Sequence, residues 1–122
     1  MNLKKCLKCN AIVKVLNDCC CDDCNITCCG EKMFTIRANT ADAAAEKHVP
    51  EYKIEEGKVV VRVNHVMEQD HYIEWISYES GNKEQVIQFN PGEEAIGTFK
   101  YVKGATIYAY CNKHFLWSKE VE

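Results

Sequence analysis

Nine cysteines in a chain of 122 residues constrain this molecule more than any other feature. Eight of them fall between Cys6 and Cys29, and the ninth stands alone at Cys111. In a secreted protein such crowding signals a disulfide framework. Met1 to Lys5 has the charge of a secretion signal's start, but Cys6 to Leu16 carries Lys8, Asn10 and Lys14 and so lacks the apolar stretch such a signal needs. The expectation is therefore a cytoplasmic protein. In a reducing compartment dense cysteines bind metal more often than they pair, and an odd count argues against disulfides alone.

Cys6-Leu7-Lys8-Cys9 sets two thiols on one tight turn, and Cys28-Cys29-Gly30 offers a second pair. Together they make a tetrahedral all-thiolate site suited to iron or zinc. Asn10 follows the first pair where a left-handed residue is often needed, and asparagine tolerates that conformation. Between the pairs lies Cys19-Cys20-Cys21-Asp22-Asp23-Cys24. It leaves open a rubredoxin-like set of Cys6, Cys9, Cys21 and Cys24, a second metal, or surplus thiols on a loop.

Composition changes near Phe34. Upstream, Cys, Asn and Asp dominate; downstream, cysteine almost vanishes and strand patterns begin. This places a small metal-stapled domain at 1–36, too short to build a core unaided, and a second domain at 37–122. In the second, Thr40 to Lys47 reads as a short helix capped by Thr40 and ended at His48-Val49-Pro50. Strands are expected over Glu51 to Ile54, Lys58 to Asn64, His71 to Glu79, Gln85 to Phe89, Ala95 to Val102, Thr106 to Cys111 and Phe115 to Val121. About seven short strands at this spacing fit an immunoglobulin-like antiparallel sandwich.

All four histidines lie in that domain, at turns or strand ends: His48, His65, His71 and His114. Cys111 sits three residues before His114. A lone histidine is more often structural than a ligand, but that reading is weak for four at once. Imidazole and thiolate together suit iron, copper or zinc. A blue-copper centre wants a methionine soon after its second histidine, and none follows His114. A net charge of −3 with no basic run argues against nucleic acid, and no apolar stretch reaches bilayer length.

These motifs resemble desulfoferrodoxin, a two-domain superoxide reductase family. The matching stretches include Cys6-Leu7-Lys8-Cys9, Cys28-Cys29-Gly30, Glu46-Lys47-His48-Val49-Pro50, His65-Val66-Met67-Glu68-Gln69-Asp70-His71 and Cys111-Asn112-Lys113-His114. The resemblance implies a mainly β chain with a desulforedoxin-like N-terminal domain, its iron (or zinc) held by Cys6, Cys9, Cys28 and Cys29. It implies a ferrous ion held by His48, His65, His71 and His114 in a plane with Cys111 axial. Glu46 would close the open position in the oxidised state, and Lys47 would guide superoxide in. A small electron-donor protein such as rubredoxin and a homodimer are further expectations. The family usually has Gly where this chain has Asn10 and Phe115, and Pro where it has Val66. The inserted Cys19, Cys20, Cys21 and Cys24 are the largest departure. The alternatives from other classes are a non-catalytic iron or copper electron carrier and a structural zinc protein.

Overall fold

The computed structural model describes residues 1–21, 24–41 and 45–122, with the side chains of residues 45 and 46 outside that description. It divides into two compact units, Met1–Arg37 and Ala38–Glu122.

The first unit is made of very short strands. β1 (Leu3–Lys5) lies between β2 (Ile12–Lys14) and β5 (Phe34–Ile36), both antiparallel to it. A separate two-stranded hairpin joins β3 (Thr27–Cys28) to β4 (Glu31–Lys32). The connection from β1 to β2 is a tight turn: Asn10 N–H donates to the Cys6 carbonyl at 2.9 Å, and Cys6 N–H to the Ala11 carbonyl at 2.9 Å. Asn10 closes it with φ 66°, the left-handed conformation expected for that position. The β3–β4 turn has positive φ at both central residues, Cys29 (52°) and Gly30 (76°), which is what a two-residue hairpin of matching twist requires. The apolar interior amounts to Leu3, Cys6, Met33 and Ile36, while Leu7 and Leu16 face water. So small an interior is marginal by itself.

The second unit opens with the four-residue helix α1 (Ala45–His48). The Thr40-capped start expected for this helix runs through residues 42–44, which lie outside the described residues. Seven strands follow: β6 (Glu51–Glu55), β7 (Lys58–Arg62), β8 (Ile73–Ser80), β9 (Lys83–Gln88), β10 (Ile96–Lys100), β11 (Thr106–Cys111) and β12 (Phe115–Glu120). They form two antiparallel sheets, β10-β7-β6 and β12-β11-β8-β9. Alternation explains the core: Val59 and Val61 on β7, Phe99 on β10, and Ile107 and Ala109 on β11 are all buried. Tyr78 on β8 stacks on Phe99 of the other sheet, with ring centres 4.7 Å apart. Its hydroxyl donates to the Lys100 carbonyl at 2.8 Å and accepts from Val102 N–H at 3.1 Å, so a buried polar atom is satisfied while the sheets are tied.

One irregularity bears on chemistry. The β8–β11 register slips between Tyr110 and Cys111, so that Tyr110 faces Trp75 but Cys111 faces Ile73. Bulges of this kind re-aim a side chain at the end of a ladder. Cys111, the last residue of β11, is fully buried at that slip.

Candidate metal centres

His48 ends α1, and its ring stacks on Trp117 of β12 at 5.0 Å. Trp117 in turn donates its indole N–H to the His114 carbonyl at 2.9 Å. His65 follows β7 closely, where Val63 N–H still bonds the Ala95 carbonyl at 3.0 Å. His71 is held by a two-way backbone exchange with Glu68, at 3.0 and 3.2 Å. Asn112 braces the same corner: its carboxamide accepts from Tyr72 N–H at 3.0 Å and donates to the Asp70 carbonyl at 2.9 Å. The turn between β11 and β12 carries Cys111 and His114 at its two ends.

These elements bring all four rings and the thiol together. One donor atom from each of His48, His65, His71, Cys111 and His114 lies within 4.8 Å of every other. The rings follow one another around a closed circuit: 48 to 65 at 4.8 Å, 65 to 71 at 4.7 Å, 71 to 114 at 5.2 Å and 114 to 48 at 4.7 Å. His48 Nε2 stands 3.0 Å from His114 Nδ1 and 3.2 Å from His65 Nε2. Nitrogens about 2.1 Å from a common ion and at right angles lie about 3.0 Å apart. Cys111 Sγ lies 3.5 Å from His65 Nε2 and 3.7 Å from His114 Nδ1.

His65 donates Nδ1–H to the Val66 carbonyl at 2.6 Å, which leaves Nε2 as the lone-pair nitrogen facing the cluster. His71 Nε2 is buried and has no hydrogen-bond partner among the described residues. A buried orphan of this kind costs stability unless something else binds it. Burial pushes the His65 ring's pKa below the usual histidine range, and the neighbouring rings add to that. Burial does the same to His114. Both shifts favour the neutral ring, the form a metal needs. Burial pushes the Cys111 thiol up, against the backbone N–H groups of Lys113 and His114, which pull it down. A nearby cation is what such a thiol lacks as a thiolate. The donor set therefore fits a transition-metal ion.

A depression opens over the four rings, with Lys47, Asn64, Val66 and Glu68 on its walls. Cys111 is not among its lining residues and is fully buried. Lys47 is exposed. The side chain of Glu46 lies outside the described residues.

The second cluster joins the two tight turns of the first unit. The sulfurs of Cys6, Cys9, Cys28 and Cys29 lie within 4.8 Å of one another. Cys9 Sγ and Cys28 Sγ are 3.7 Å apart, and Cys28 Sγ and Cys29 Sγ 3.9 Å. Four sulfurs at about 2.3 Å from one ion would form a tetrahedron of edge about 3.8 Å. Cys9 N–H donates to Cys6 Sγ at 3.5 Å and holds that thiol down at about 7. Contact with the Cys9 and Cys6 sulfurs pushes Cys28 up to about 12. One negative charge is thus favoured and further ones are resisted, which is the situation a bound cation relieves. The inserted cysteines are elsewhere: Cys19 and Cys24 are bonded to each other, and Cys20 and Cys21 are exposed thiols. Cys21 is in neither cluster, so the rubredoxin-like set is not the one assembled.

The desulfoferrodoxin sequence profile matches residues 40–120, two thirds of the chain and all five donors of the histidine cluster. The chain belongs to the desulfoferrodoxin family. It is 39% identical to desulfoferrodoxin from Clostridium acetobutylicum over 100 residues, covering 80% of each chain. It is 35% identical to desulfoferrodoxin from Syntrophotalea carbinolica over 124 residues, covering 98% of this chain and 96% of the relative. Among solved structures, it is similar to the superoxide reductase of Treponema pallidum, with TM-score 0.69, 25% identity, and 96% and 98% of the two chains covered. The superoxide reductase of Giardia intestinalis matches 62% of this chain and 97% of its own at TM-score 0.54 and 31% identity.

Three supporting groups carried no signal in spacing alone: Trp117 beneath His48, the Val66 carbonyl on His65, and Asn112. Trp117 and Asn112 sit within two or three residues of a donor, and a polar or aromatic neighbour at that distance is the signal available for them.

Proposed function

We propose that this chain is a superoxide reductase whose iron is held by His48, His65, His71, His114 and Cys111. The reaction takes one electron and two protons to turn superoxide into hydrogen peroxide. The observation that carries this reading is the one-sided burial of the donor set: four rings line an open depression while the thiol lies sealed behind them. Closed structural metal sites offer no such face; catalytic ones keep a position open. Bound there, iron supplies the electron.

The chain's own groups do the rest. Lys47 places a positive charge beside the depression and draws in a small anion. The Val66 carbonyl fixes the His65 tautomer, and Trp117 fixes the plane of His48. Glu46, two residues before His48, is the carboxylate we assign to closing the site against other anions in the oxidised state. Cys6, Cys9, Cys28 and Cys29 hold a second ion, iron or zinc, in the domain spanning residues 1–36, and residues 37–122 carry the reaction. We infer a cytoplasmic homodimer that takes its electrons from a small donor protein such as rubredoxin.

The test is product stoichiometry with reductant in excess. A reductase yields one peroxide for every superoxide consumed. Half that yield, with dioxygen released, means dismutation; no accelerated loss of superoxide leaves an electron carrier.

A further inference from the structure

The cysteines that neither metal cluster uses are not equivalent. Of Cys19, Cys20, Cys21 and Cys24, the structure joins only the first and last, leaving Cys20 and Cys21 as exposed thiols between them in sequence. Adjacency along the chain does not select this pair, and neither does the CxxC spacing of Cys21 and Cys24. Polar contacts converge on it instead. Asp18 Oδ1 lies 3.4 Å from Cys24 Sγ. The backbone N–H of Cys19 lies 3.1 Å from the same carboxylate and 3.3 Å from Cys24 Sγ. With the disulfide reduced, the same placement would give Cys24 a base for its proton and an N–H donor for the resulting thiolate. A partly exposed thiol with a base in reach can lose its proton as its sulfur attacks an oxidant.

We propose that Asp18, Cys19 and Cys24 form a thiol site that reduces hydrogen peroxide and closes to the disulfide seen here. Cys24 gives its proton to Asp18, and its sulfur attacks one peroxide oxygen. An S–O bond forms, the O–O bond breaks, and the departing oxygen takes the proton from Asp18 and leaves as water. Cys24 is then a sulfenic acid. Cys19 sulfur attacks Cys24 sulfur; the S–S bond forms, the S–O bond breaks, and a second water leaves with the Cys19 proton. The dithiol has lost two electrons and peroxide has gained two. A dithiol reductant returns the pair to its starting state. The oxidant is the product of the reaction proposed above, and only this link rests on that reading.

The experiment adds peroxide directly, so its result does not depend on whether the chain reduces superoxide. The full-length, metal-loaded protein is reduced with dithiothreitol, desalted anaerobically and given an equimolar amount of hydrogen peroxide. Free thiols are then alkylated, and the cysteine peptides identified by mass spectrometry over time. The expected product is a Cys19–Cys24 cross-link, with Cys20 and Cys21 still alkylated. Asp18→Asn should slow its formation about tenfold or more near neutral pH and move the pH profile upwards, with Asp18→Glu restoring much of the rate. Cys19→Ser should stop the reaction at an oxidised, trappable Cys24. Equal oxidation of all four thiols, a cross-link involving Cys20 or Cys21, or Cys19 and Cys24 remaining alkylatable would each overturn the proposal.

Discussion

The two metal clusters of this chain are built in opposite ways. The histidine cluster sits on a sandwich whose core holds fully buried side chains from β7, β8 and β11. Its donors are presented by strand ends, a bulge and a short helix that the core holds in place. The cysteine cluster sits on two tight turns over an interior of Leu3, Cys6, Met33 and Ile36. There the strands are two or three residues long, too short to stand without a cross-link. The lesson is one of causation. In the second unit the fold positions the donors, whereas in the first a bound ion would hold the fold.

The largest expected effect follows from that contrast. Stripping the metal from the cysteine cluster, or replacing Cys9 and Cys28 together by Ser, should remove amide hydrogen-exchange protection over Leu3 to Ile36. Structural thiolate sites of this type contribute about 10–16 kcal/mol in apparent terms, more than the whole stability of such a unit. Protection in β7, β8 and β11 should persist. Equal loss in both units would erase the contrast.

Trp117→Ala should be the next most disruptive. It is buried, it supports His48 from below, and its indole N–H holds the His114 carbonyl. The loss should be about 3–5 kcal/mol in denaturant unfolding of the sandwich, with weaker iron retention in a chelator competition. Unchanged iron retention would mean that the strands alone position His48.

Lys47→Ala should leave folding and metal content as they are. It should slow the reaction with superoxide severalfold at low salt and flatten its salt dependence, because an exposed charge acts over about 10 Å at 0.1 M ionic strength. Lys47→Arg should keep most of the rate. A variant as fast as the parent at low salt would reduce Lys47 to a solvated helix-end residue.

The smallest effect is local. Asn10 holds φ 66° in the turn that presents Cys6 and Cys9. Asn10→Gly should shift the unfolding midpoint of the loaded first unit little, whereas Asn10→Val should cost about 1–2 kcal/mol. A tolerated valine would show that the ion imposes the turn whatever the side chain.

The same contrast explains what the sequence discloses. In the sandwich, alternation and turn residues mark the strands well; β11 spans Thr106–Cys111 as the pattern predicts, and β6, β7, β9, β10 and β12 differ from it by a residue or two at their ends. The expected His71 to Glu79 strand begins instead at Ile73, because His71 is tied back to Glu68 across a turn. The five donors are legible because histidine is rare in this chain and each copy falls at an element end. The strands of the first unit left no trace, since pairs and triplets of residues have no periodicity to read. The slip at Cys111 and the stacking of Trp117 depend on pairing across strands, which spacing along one strand does not encode. The pairing of Cys19 with Cys24 is a matter of loop geometry, and cysteine spacing alone permits several others.

The most direct test of the central claim is the visible absorption spectrum of the iron-loaded protein beside that of Cys111→Ser. Cys111 is the one cysteine of the second unit, so it alone can give that unit's ferric ion a thiolate charge-transfer band. The account predicts that this band disappears in the variant while the absorption of the four-cysteine centre is unchanged. A spectrum in which both features persist would contradict it, since the iron of the sandwich would then have no bond to Cys111.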